Sequence, residues 1–168
     1  MTVRTFGFAH PLTYADVKPG MLLSAQHGDR QVFGLAFQGD REILVAVFLQ
    51  SGSEESPPLP YVLDLSDIHQ ALSAVDGERE FEPSEGADFS VVPKARTLKD
   101  GFVLSSTGRV GLAVSFNHYG SKNWKVLDFE TGEDLAERDT LAMLPPSRLL
   151  IHQPGREQRR ELLIKAAG

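Results

Sequence analysis

A phrase occurs twice in this chain, and the repeat constrains the fold more than any other feature. Val17-Lys18-Pro19-Gly20-Met21-Leu22-Leu23-Ser24 returns as Leu98-Lys99-Asp100-Gly101-Phe102-Val103-Leu104-Ser105, at an offset of 81. The same offset pairs Phe8 with Phe89, Val45 with Val126 and Phe48 with Phe129. Between them it lapses to 77, where Gly34-Leu35-Ala36 meets Gly111-Leu112-Ala113. A register that slips by four and recovers by four fits two hairpins of different length on one repeated scaffold. The chain therefore reads as a duplicated β unit.

The expected organisation follows from that offset. Residues 1–65 form the first copy, 66–88 an acidic linker with a short helix, 89–151 the second copy and 152–168 a basic amphipathic C-terminal helix. In the first copy, turn residues around Gly28 and Gly39 separate apolar runs, as hairpins require. The run Ile43 to Leu49 is apolar on both of its alternating faces. Such a strand needs cover on both sides, from the other copy, the linker or a second chain in a homodimer. In the second copy the first hairpin should be shorter, at Ser106-Thr107-Gly108, and the second longer, over Asn117 to Asn123.

Two helices are expected. Ser66 can cap a helix running to Val75, with Ile68, Ala71, Leu72 and Val75 at helical spacing and Gly77 beyond the end. Gly155 to Ala167 carries Leu162, Leu163 and Ala166 on one side, with Arg156, Arg159, Arg160 and Lys165 elsewhere. The many short strands favour a mainly β fold of two tandem small barrels or one pseudo-twofold β assembly. The cadence from Lys125 to Glu133 resembles that of SH3-like or Tudor-like barrels, a likeness of shape from which no family follows.

Charge and composition exclude several classes. Residues 50–88 hold ten acidic side chains against the single base Arg79, within a net charge of −6 for 168 residues. A polyanion binder concentrates bases on its main domain, so nucleic acid is not the expected partner. There is no cysteine, which removes disulfides, thiolate metal sites and cysteine nucleophiles. No apolar run approaches the length of a membrane helix, and the N-terminus lacks a signal-peptide core, so the expected location is the cytoplasm.

No catalytic constellation stands out. The five histidines show no i,i+2 or i,i+4 pairing, and no nucleophile elbow or glycine-rich phosphate loop is present. Asp64, Asp67 and His69 come nearest to a ligand cluster, but they also read as a strand end and an acidic helix start. No catalytic residue, metal ligand or cofactor is therefore expected. The best candidate site is a ligand-binding one: His118, Tyr119, Lys122, Asn123 and Trp124, in a hairpin with no counterpart in the first copy. Aromatic groups with polar handles suit the capture of peptides, sugars or cations. The competing reading places Trp124 in the core where the first copy has Ile43.

The function expected is that of a non-catalytic binding or adaptor protein. It would take a protein, peptide or small ligand through the loops of the second copy or the cleft between copies. Its rival is a small enzyme with acid and base groups in that cleft.

Overall fold

The computed structural model describes residues 9–51, 57–68, 70–84, 98–135, 141–145, 147–152 and 159–163. They are mainly antiparallel β structure: β1 (Ala9–Pro11), β2 (Leu22–His27), β3 (Arg30–Gln38), β4 (Ile43–Ser51), β5 (Tyr61–Asp64), β6 (Gln70–Val75), β7 (Glu78–Pro83), β8 (Gly101–Leu104), β9 (Val110–His118), β10 (Ser121–Asp128), β11 (Ala142–Met143), β12 (Ser147–His152) and β13 (Arg159–Leu163). A six-stranded sheet runs β1-β6-β2-β3-β4-β5, a four-stranded sheet β10-β9-β8-β11 and a three-stranded sheet β13-β12-β7. Among the described residues, helical turns are confined to single 3-10 turns at Tyr14–Asp16 and Leu65–Asp67. No helix among the described residues is long and apolar enough to cross a membrane.

Both expected helices are corrected. Residues 70–75 form β6, which lies between β1 and β2. Ala71 takes a φ of 50°, and the register against β2 shifts between Ser24 and Gln26, so β6 carries a bulge. The segment is two-faced, with Ile68 and Leu72 in one cluster and Val75 in the other. Near the C-terminus, residues 159–163 pair with β12 as β13. An isolated short helix is marginal in water, whereas an open strand edge satisfies the backbone at once. The segment expected to be a linker thus supplies β6 and β7, strands of two different sheets.

The core sits between the sheets. Leu44, Ala46 and Phe48 of β4 pack with Leu35, Phe37, Phe102, Leu112, Val114, Leu127, Phe129, Leu149 and Ile151. Val45 and Val47, on the opposite face of β4, join Val17, Val32, Leu65, Ile68 and Leu72. The doubly apolar strand is therefore covered on both sides within one chain. A smaller cluster of Val103, Ala113, Val126, Leu135 and Leu141 lies on the outer face of the four-stranded sheet.

Four phenylalanines tie the three sheets together. Phe48, Phe81, Phe102 and Phe129 meet with ring centroids 5.1–5.6 Å apart in mainly edge-to-face geometry. Such pairs contribute about 0.5–1.5 kcal/mol each beyond area burial.

The hairpin lengths differ from expectation in an instructive way. In β9–β10, pairing continues to His118↔Ser121, leaving only Tyr119 and Gly120 in the turn. The residues expected to form a long loop instead form the arms of the hairpin. In β3–β4, by contrast, four residues (Gly39 to Glu42) connect Gln38 to Ile43. Likewise the β8–β9 hairpin has a short ladder and a turn of five residues, Ser105 to Arg109.

Candidate functional site

The long arm β9–β10 ends against the β3–β4 turn, and the side chains gathered there form the candidate site. Alternation along β9 puts His118 on the same face as Val114 and Phe116, the face that borders the large core. An aromatic series runs outward along it: Phe37 to Phe116 at 5.6 Å, Phe116 to His118 at 6.4 Å and His118 to Tyr119 at 4.2 Å between centroids. The His118 side chain is only 10% exposed, yet its Nε2 meets Oε1 of Glu42 from the β3–β4 turn. The Tyr119 hydroxyl donates to the other Glu42 oxygen at 3.1 Å. Asp64, the last residue of β5, completes the group. One ligand-type atom from each of Glu42, Asp64 and His118 lies within 4.8 Å of the others.

Tyr119 is held in an unusual way. It and Gly120 have φ of 50° and 77°, the two positive values of a type I′ turn. Asn, Asp or Gly normally occupies the first of these positions, because a bulky side chain there is strained. Tyr119 is nonetheless 69% exposed. Beside it, a groove of about 470 Å³ is lined by Tyr14, Glu42, Ile43, Leu65 and Ser66. Tyr14 is itself 46% exposed, so two tyrosines stand open near one carboxylate.

The electrostatics are those of a negative corner. Hydrogen bonding to His118 holds the Glu42 carboxyl below its usual range, against the opposing effect of desolvation. The same carboxylate, as hydrogen-bond acceptor and as charge, pushes the Tyr119 hydroxyl up, with Asp64 and Asp40 adding to the effect.

Of the five residues singled out from sequence, the structure brings two into this site. Lys122 and Trp124 lie in β10 on the alternate face, that of Val126 and the outer cluster, and Lys122 is exposed. Asn123 donates its side-chain amide to the Ser121 carbonyl at 3.0 Å, bracing the turn. None of these three lies in a loop, because the strand extends through them. Trp124 does not fill the core either: it is 39% exposed, opposite Ser115. The sequence reading missed Glu42 and weighed Asp64 only beside Asp67 and His69, the last of which lies outside the described residues. Glu42 and Asp64 stand 76 and 54 positions before His118, and only the pairing of β4 with β5 and the long arm of β9 unites them.

A second junction lies away from this one. The Arg79 guanidinium donates to the carbonyls of Gly20, Phe129 and Glu130, and lies over the Phe129 ring at 5.5 Å. Gly20 and Gly132 touch there, and a Cβ on Gly132 would sit 2.5 Å from the Gly20 nitrogen. A cavity of about 330 Å³ adjoins, lined by Arg79, Glu80, Phe81, Arg109, Asp128 and Phe129 among others. Several of its charged groups already have partners: Arg109 with Asp128, and Glu80 with His152. Compared with protein-family models, curated proteins and solved structures, the chain matches none.

Proposed function

We propose that this chain is a non-catalytic binding protein that captures a peptide or small ligand where the β9–β10 arm meets the β3–β4 turn. The observation that carries the reading is Tyr119: an exposed aromatic side chain, fixed by a strained turn and by Glu42, beside an open groove that shares Glu42. A rigid tyrosine offers large contact area and a hydroxyl at low ordering cost. Strain kept at an exposed position is more economically explained by recognition than by stability.

We further read the two meanders β2-β3-β4 and β8-β9-β10 as copies of one small unit. The cross-strand pair Ala36↔Val45 corresponds to Ala113↔Val126, at the slipped and the recovered offsets. Phe48 and Phe129, alike in the repeat, meet each other at 5.4 Å. Gly20 and Gly101, alike in the repeated phrase, both have positive φ, 91° and 142°. On this reading function was acquired where the copies differ, in the longer second arm.

The test is capture by immobilised wild-type chain and by Tyr119→Ala from a native cell extract, with bound peptides, proteins and small molecules identified by mass spectrometry. Wild type should retain a set that Tyr119→Ala loses while its circular dichroism is unchanged. An identical set from both chains would remove this face as the binding site.

A further inference from the structure

We infer that Glu42, Asp64 and His118 form a site for one divalent transition-metal ion, of which Zn²⁺ is the simplest occupant. The inference rests on the same face being the binding site, and it names an ion that would take part there.

The donor set favours this class of ion. One imidazole and two carboxylates, with no thiolate, suit Zn²⁺, Mn²⁺ or Fe²⁺, whereas Mg²⁺ and Ca²⁺ prefer oxygen alone. Two carboxylates and a neutral imidazole would also balance a dication.

The geometry is close to what an ion needs. Metal–ligand bonds of about 2.0–2.2 Å place tetrahedral donors roughly 3.3–3.6 Å apart. The three donor atoms here lie within 4.8 Å of one another, and Nε2 of His118 already hydrogen-bonds Glu42, so an ion would replace that bond with an adjustment on the order of 1 Å. Glu42 can supply it, since it ends a four-residue turn and its side chain is partly exposed. The other two donors are carried by strand ends, His118 on β9 and Asp64 on β5.

Two further observations point to an occupant. The His118 side chain is nine-tenths buried with its Nε2 directed into the group. Among the described residues, no side chain pairs with the Asp64 carboxylate, although it faces the Glu42 carboxylate at short range. Asp64 has no such partner, while Glu42 has His118 and Tyr119, and a cation held by both carboxylates would give Asp64 its counter-charge. Tyr119, hydrogen-bonded to Glu42, would orient that ligand from outside, as the outer partners of metal sites do. Three protein donors leave at least one position for water or for an oxygen of the captured ligand.

The test uses the full chain, stripped with a chelator and titrated calorimetrically with Zn²⁺, Mn²⁺ and Mg²⁺ in turn. One equivalent of Zn²⁺ should bind with micromolar or tighter affinity, and Mg²⁺ far more weakly. Asp64→Asn and His118→Gln should each weaken Zn²⁺ at least tenfold. If His118→Gln fails to fold, Asp64→Asn decides, because the fold loses no side-chain hydrogen bond there. Absence of Zn²⁺ uptake, uptake unchanged in folded Asp64→Asn, or preference for Mg²⁺ would each overturn the inference. The two readings separate cleanly. Lost ligand capture in Tyr119→Ala without metal binding sinks only the ion. Metal binding with capture indifferent to Tyr119 sinks only the capture face.

Discussion

The sheets of this molecule meet at two junctions that handle polar groups in opposite ways. At the inner one, Arg79 spends its donors on three backbone carbonyls, two glycines touch and four phenylalanines interlock. At the outer one, two carboxylates and an imidazole crowd together, a tyrosine sits in a strained turn and a groove stays open. A junction whose donors and acceptors are matched contributes to holding the fold. One with charge left over and a side chain held against its preference is poised to meet something else. Substitutions at the two places should therefore differ in kind: loss of stability at the inner junction, loss of binding at the outer.

The largest effect is expected at Phe129, which touches Phe48, Phe81 and Phe102 and is 1% exposed. Phe129→Ala should cost about 3–5 kcal/mol in urea unfolding, as large aromatic deletions do. A loss under about 1 kcal/mol would mean that the inner junction is not the common core of the three sheets.

Next comes Arg79→Met, which keeps the apolar stem but strands three carbonyls. A loss of roughly 2–3 kcal/mol is expected, less than for a fully buried charge because Arg79 is only half-buried. Arg79→Lys should not rescue it. A single ammonium cannot span carbonyls on both loops as the planar fork does. Full rescue by lysine would show that charge alone, and not the bridge, matters there.

This contrast also explains what could be read from the chain. The β class, the strands around Ile43 to Leu49 and the double cover of β4 were legible, since alternation and turn residues are local signals. The β6 strand was not. Ile68, Ala71, Leu72 and Val75 lie at helical spacing, but Leu72 and Val75, three apart, face opposite sides of a strand, and the bulge at Ala71 interrupts the alternation that would have marked one. Arg79 looked like a stray base in an acidic stretch, because its acceptors are carbonyls 50 and more positions away. At the outer site, His118 and Tyr119 could be singled out as neighbours in an unmatched hairpin. Glu42 could not, and Asp64 stood out only beside Asp67 and His69, since nothing local marks a carboxylate that faces a distant imidazole.

Trp124 gives a smaller effect and a sharper distinction. Deletion of a core tryptophan would cost about 3–5 kcal/mol. Trp124 is 39% exposed on the outer face of β10, so Trp124→Ala should cost under about 1.5 kcal/mol. Its fluorescence should be accessible to an aqueous quencher in the native state. A loss in the core range would place the ring in the smaller cluster of Val103 and Val126, and would draw that face into the fold's support.

The smallest change in stability, and the most telling, is expected from Tyr119→Asn. The first position of a type I′ turn prefers Asn because its short side chain tolerates positive φ. Tyr119 holds that position at 50° and recovers little by it, since its ring is largely exposed and its one hydrogen bond is to a half-exposed carboxylate. Relief of the strain and loss of that bond nearly offset each other. Stability should change by less than about 0.5 kcal/mol, or rise by up to about 1 kcal/mol. Ligand capture should nonetheless fall, because the aromatic contact surface is gone. A substitution that leaves the fold as firm as before while emptying the site is the signature of a residue kept for binding. A clear destabilisation with capture intact would reverse the assignment: Tyr119 would then belong with Arg79 among the groups that hold the sheets together.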